Sequence, residues 1–113
     1  MGTIFHDAIV VTSFFEAHLT QARDKAIELG MQASENVRSG MNGYLSFFIA
    51  PDGSKEWWPD SDKGDERRSA WIEWAQAQYG AGVYFDFVAV RYGADLEHAP
   101  TIEAHNSNRE DDE

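Results

Sequence analysis

Between Val83 and Tyr92 the side chains alternate, with Val83, Phe85, Phe87 and Ala89 on one side and Tyr84, Asp86, Val88 and Val90 on the other. Alternation of period two is the signature of a strand with one clearly apolar side. A sheet built on such a strand must cover that side with another layer. Two helix-length segments can supply it. Ser13-Phe14-Phe15-Glu16 has the capping-box pattern, in which the serine oxygen accepts an early helix N–H and Glu16 reaches back. Phe15, Leu19, Ala22, Ala26 and Leu29 then recur at spacings of four and three, one stripe on a helix that Gly30 ends. Ser61 or Asp62 can cap a second helix, with Asp65 and Glu66 near its positive end. Trp71, Ile72, Trp74, Ala75 and Tyr79 spread over a broad face of that helix before Gly80 and Gly82 end it.

The other strands follow from β-branched and aromatic runs bounded by turn residues. Ile4 to Val11 is a first strand whose continuous apolar centre suits a position flanked on both sides. Tyr44 to Ala50 is a second, followed by turn chemistry at Pro51-Asp52-Gly53-Ser54. Lys55 to Trp58 can return as a short third strand, which Pro59 stops because proline cannot donate to a ladder. Met31 to Gly43 is polar and reads as a long surface loop. Pro100 to His105 can add a C-terminal edge strand. The expected fold is α+β, an antiparallel-rich sheet with two helices on one face in βαββαβ, ferredoxin-like order. Residues 1–105 form one domain on this reading. Asn106 to Glu113 contains no apolar residue and is expected to be a disordered acidic tail.

The charge balance excludes some functions. Twenty acidic against nine basic side chains give −11 over 113 residues. A field of that sign repels nucleic-acid phosphates and anionic lipid, and favours solubility and encounter with basic surfaces. Direct nucleic-acid binding is therefore not expected. No run of eighteen apolar residues spans a membrane, and no basic cluster precedes a long apolar stretch at the start of the chain. The absence of cysteine removes disulfides and thiolate zinc sites. A cytoplasmic location in the cell that makes the protein is the expectation.

No motif requires catalysis, a metal or a cofactor. The histidines at 6, 18, 98 and 105 form no HxH, HxxxH or HExxH pair. Asp60-Ser61-Asp62-Lys63-Gly64-Asp65 resembles the front of a calcium loop, but its sixth position is Asp65 instead of glycine and its twelfth is Trp71 instead of glutamate. Those carboxylates serve equally as helix caps. There is no G-x-S-x-G elbow and no P-loop.

The aromatic residues are more informative. All four tryptophans lie between Tyr44 and Tyr79. Trp71 and Trp74 fit a core between helix and sheet. Trp57 and Trp58 would point to opposite faces of an extended chain, so burying both needs two covered faces. The junction Lys55 to Glu66 therefore supplies the candidate binding residues Trp57, Trp58, Asp60, Asp62, Asp65, Glu66, Arg67 and Arg68: aromatic anchors beside carboxylates and arginines.

The segment Met41-Asn42-Gly43-Tyr44-Leu45-Ser46-Phe47-Phe48-Ile49-Ala50-Pro51-Asp52-Gly53-Ser54-Lys55-Glu56 resembles small accessory proteins of tailed bacteriophages and prophages. The Arg67-Arg68 pair, the aromatic helix and the opening Ala8-Ile9-Val10-Val11-Thr12 are similar too, so the resemblance covers about residues 4–92. Trp57 departs from that pattern, in which a smaller residue is expected. The resemblance implies a phage context and carries no catalytic residues. The function expected is that of a non-enzymatic accessory protein that binds and modulates a host protein, as in countering host defence. The alternative is a protein that sequesters a nucleotide signal, with Trp58 or Tyr44 stacking on the base and Arg67, Arg68 or Arg38 holding phosphate. A homodimer through an edge strand or an exposed tryptophan is compatible with both.

Overall fold

The computed structural model describes residues 4–53, 59–93 and 99–106, with the side chains of Asp60 and Ser61 outside that description. The elements are β1 (Phe5–Ser13), α1 (Glu16–Glu28), β2 (Val37–Arg38), β3 (Leu45–Ile49), α2 (Pro59–Gln78), β4 (Asp86–Gly93) and β5 (Thr101–His105), with a 3₁₀ turn at Tyr79–Ala81. One sheet in the order β2-β3-β1-β4-β5 contains all five strands, and every pairing is antiparallel. The α+β class is as the sequence implies, and β5 is the expected extra edge strand.

β1 lies at the centre, with Ile9 opposite both Ile49 and Ala89 and Val11 opposite both Phe47 and Phe87. These side chains are buried against Leu19, Ala22 and Ala26 of α1 and Trp71 and Ala75 of α2. The alternating face of β4 thus finds the cover it requires. Trp71 is fully buried and its Nε1–H donates to the Ala22 carbonyl at 3.0 Å, so the one polar atom of the largest core side chain also ties α2 to α1.

Several boundaries differ from the sequence expectation. Besides β1, β3 pairs with β2, inside the segment read as a loop; Lys55 to Trp58, the expected return strand, lies outside the described residues. Asn42 and Gly43 both have positive φ, which is what a tight turn between β2 and β3 demands and what an Asn-Gly pair tolerates. Ala33 forms a further bridge to Ile49, and Ser34 N–H donates to the Phe48 carbonyl at 2.8 Å. Pro59 is the first residue of α2, where a missing N–H costs nothing; the strand it was expected to stop lies outside the described residues. The cap at Ser61 or Asp62 is therefore displaced. Asn106, expected at the head of the tail, donates to the Phe85 carbonyl at 2.8 Å and accepts the Phe87 N–H at 3.0 Å, holding β5 to β4. Residues 107–113 lie outside the described residues.

Candidate functional site

Three connections meet at one end of the sheet: β1 to α1, β2 to β3, and α2 to β4. Each brings aromatic side chains. Phe14 and Phe15 come from the first, Tyr44 from the second, and Tyr79 and Tyr84 from the third. Ring centroids follow one another at 5.6 Å (Tyr44 to Phe14), 5.5 Å (Phe14 to Phe15), 6.2 Å (Phe15 to Tyr84) and 5.1 Å (Tyr84 to Tyr79). His18 fits under the middle of this row, 4.9 Å from Phe15 and 5.6 Å from Tyr84. These are edge-on and tilted contacts within the usual range for aromatic pairs. The five Phe and Tyr side chains remain 41–55% exposed. A single exposed aromatic is ordinary, but a contiguous row of them is the usual mark of a contact surface.

The ridge is held from beneath by polar contacts. Ser13 is buried at the end of β1; its hydroxyl donates to the Tyr84 carbonyl at 2.6 Å and accepts the Phe15 N–H at 3.0 Å. The Tyr84 N–H donates to His18 Nδ1 at 2.9 Å, which fixes the proton of a neutral imidazole on Nε2. Ser13 is thus not the N-cap of α1. Phe15 occupies that position, and it points outward instead of joining the buried stripe of Leu19, Ala22 and Ala26. A depression of about 160 Å³ lies along the ridge, lined by Ser13, Phe14, Phe15, Tyr44, Tyr84 and Asp86 among others.

A second feature occupies the opposite half of the molecule. Asp7 on β1 accepts two hydrogen bonds from Arg91 on β4, at 2.9 and 3.1 Å, and lies 3.3 Å from Arg68 on α2. Arg68 also pairs with Asp65 one turn earlier and lies 3.8 Å from Asp52. The side chains of Asp7 and Arg68 are only 13% and 15% exposed. Gly64 is part of this arrangement: a Cβ there would collide with the Asp52 carboxylate, so its absence lets Asp52 come up to the helix. The network borders a cleft of about 560 Å³ between α2 and β4–β5, into which Glu73 and Glu103 also face. Four carboxylates (Asp7, Asp65, Glu73, Glu103) against two guanidiniums (Arg68, Arg91) leave it net negative, by two charges.

The eight residues singled out from sequence separate into groups. Trp57 and Trp58 lie outside the described residues, as does the side chain of Asp60. Asp65 and Arg68 are brought together in the charged network. Asp62 and Glu66 are exposed on α2, and Arg67 is exposed beside Gly30, at a small cavity of about 150 Å³. Arg38 lies on β2 near Glu16, at 3.9 Å, apart from Arg67 and Arg68, so the three arginines do not converge. His6 and His105 share the sheet face opposite the helices but pair with Tyr92 and Val88, four residues apart on β4, or about 13 Å. Among the described residues no group of three or more His, Asp or Glu side chains could hold a metal. Nor is any described helix long and apolar enough to cross a membrane. Comparison with family models, curated proteins and solved structures finds no match to this chain.

Proposed function

We propose that the protein is a non-enzymatic accessory factor of a tailed bacteriophage or prophage that binds and modulates a host protein in the host cytoplasm, and that the Tyr44–Phe14–Phe15–Tyr84–Tyr79 ridge is its contact surface. The observation that carries this reading is the ridge itself: five adjacent rings, in contact with one another and exposed. Rigid aromatics lose little conformational entropy on binding and dominate interface energetics. The net charge of −11 adds steering toward a basic partner. We also infer a ferredoxin-like arrangement, because α1 and α2 each connect strands separated by one intervening neighbour in the order β2-β3-β1-β4. That arrangement hosts many functions and selects none of them.

The sequestering alternative has less support. Small-molecule pockets usually measure about 300–1,000 Å³. The ridge depression and the cavity at Arg67 fall well below that range, and the larger cleft beside α2 is net negative among its described residues, which opposes phosphate.

The test is retention of a host protein on immobilised full-length chain, using wild type and a Phe14→Ala/Tyr84→Ala double variant at low and high salt. A partner held by the wild type, weakened by salt and lost from the variant supports the proposal. Equal retention by both proteins, or none by the wild type at low salt, contradicts it.

A further inference from the structure

Among the described residues no element lies over the sheet face opposite the helices, and its residues fall into rows set by the strand register. Phe48, Val10, Val88 and His105 form one row across β3, β1, β4 and β5; Ala8, itself buried, Val90 and Ile102 form the next across β1, β4 and β5. Val10, on the central strand, is 42% exposed, and Ile102 is 66% exposed. Neither row contains a carboxylate, a lysine or an arginine. At one end of the face Thr12 hydrogen-bonds Ser46 at 2.8 Å with Asp86 beside them, and at the other His6 stacks on Tyr92 at 5.3 Å.

This neutrality matters because the chain as a whole carries −11. The acids of the described helices, such as Glu16, Glu28, Asp62, Glu66 and Glu73, lie on the opposite layer. A basic partner would gain little from two rows without a carboxylate, whereas a second copy could bring its own rows against them with Asp86 left at the end of the face. Face-to-face contact also holds the two acidic helix layers as far apart as the fold allows. Four strands about 4.8 Å apart, with central strands of eight to nine residues, give a face of roughly 20 by 25 Å. That is about 500 Å² in projection, and more once side-chain relief is counted. Standard interfaces bury roughly 600–1,000 Å² per partner, so the face reaches the lower part of that range.

We propose that two copies of this chain associate through the open sheet face, with Val10 near a two-fold axis, as an isologous dimer. The dimer would leave both aromatic ridges at the ends of the sheets, available to another protein.

Sedimentation velocity of the full chain at tens of micromolar should give a species of twice 12.7 kDa that dissociates on dilution. A Val10→Lys/Ile102→Lys variant, with charges placed in both apolar rows, should sediment as a monomer with an unchanged circular-dichroism spectrum. Val10→Thr keeps the β-branched shape and serves if the double variant does not fold; it should raise the dissociation constant at least about tenfold, or about 1.4 kcal/mol. A wild-type chain that remains at 12.7 kDa up to hundreds of micromolar overturns the proposal. So does a folded lysine variant that stays dimeric, or an unchanged constant for Val10→Thr; the contact would then lie elsewhere, such as along the β5 edge.

Discussion

The two ends of the molecule treat their side chains in opposite ways. At the aromatic end, backbone and buried polar groups are satisfied underneath by Ser13 and His18, while large apolar rings are left facing water. At the charged end, Asp7, Asp52, Asp65, Arg68 and Arg91 are turned toward one another and largely satisfied inside the protein. Exposed rings contribute little to the folded state and retain most of their binding capacity. Charges already paired and half-buried contribute chiefly to holding α2 on the sheet. The residue types alone suggest the reverse assignment, because charged clusters attract attention as sites. The geometry makes the charged cluster a brace and the aromatic row the available surface.

The comparison is sharpest at Asp7. Asp7→Ala removes the carboxylate that Arg68 and Arg91 share; Arg68 keeps Asp65 and Asp52 and Arg91 is 31% exposed, so the loss is that of charge-assisted hydrogen bonds, about 1.5–3 kcal/mol. Chemical denaturation should show that loss, while partner retention by the folded fraction is unaffected. Ser13→Ala comes next. It removes a hydroxyl that satisfies the Tyr84 carbonyl and the Phe15 N–H, and a buried group left unpaired costs about 1–3 kcal/mol. Here both readouts should move, since the hydroxyl also positions Phe15 and Tyr84. Phe14→Ala and Tyr84→Ala should each change stability by less than about 1 kcal/mol, because the rings are already substantially solvated. The smallest effect is expected from nucleotides. In thermal melts, millimolar nucleoside mono- and diphosphates should leave the midpoint unmoved; stabilisation that saturates with concentration would instead revive the sequestering alternative.

Much of the fold was legible because its signals are local. The alternation of Val83 to Tyr92, the α1 stripe at Leu19, Ala22 and Ala26, and the apolar centre of β1 depend only on periodicity, and each element forms near its expected bounds. β2 was missed because two exposed residues, Val37 and Arg38, carry no alternation; the Asn42-Gly43 pair after them was the available hairpin signal. Phe15 continues the helical spacing, yet it stands at the cap, just past the end of β1, and stays 46% exposed. The ridge was not legible at all, since it gathers side chains from three connections far apart in sequence. The Asp7–Arg91 pair, 84 residues apart, was equally hidden, although Asp65 and Arg68 at spacing three were visible as neighbours on one helix face. The prominence given to Trp57 and Trp58 rested on their adjacency, and they lie outside the described residues.

The ridge, and not the charged cleft, is the proposed contact with the partner. The most direct measurement is the dissociation constant of the retained host protein, by calorimetry, for wild type, Phe14→Ala/Tyr84→Ala and a Glu73→Gln/Glu103→Gln cleft variant. The account predicts a loss of more than about tenfold for the ridge variant, each ring being worth roughly 1 kcal/mol or more, and a change within about twofold for the cleft variant, whose two charges contribute only screened, long-range steering. Full affinity in the ridge variant with a large loss in the cleft variant would contradict it.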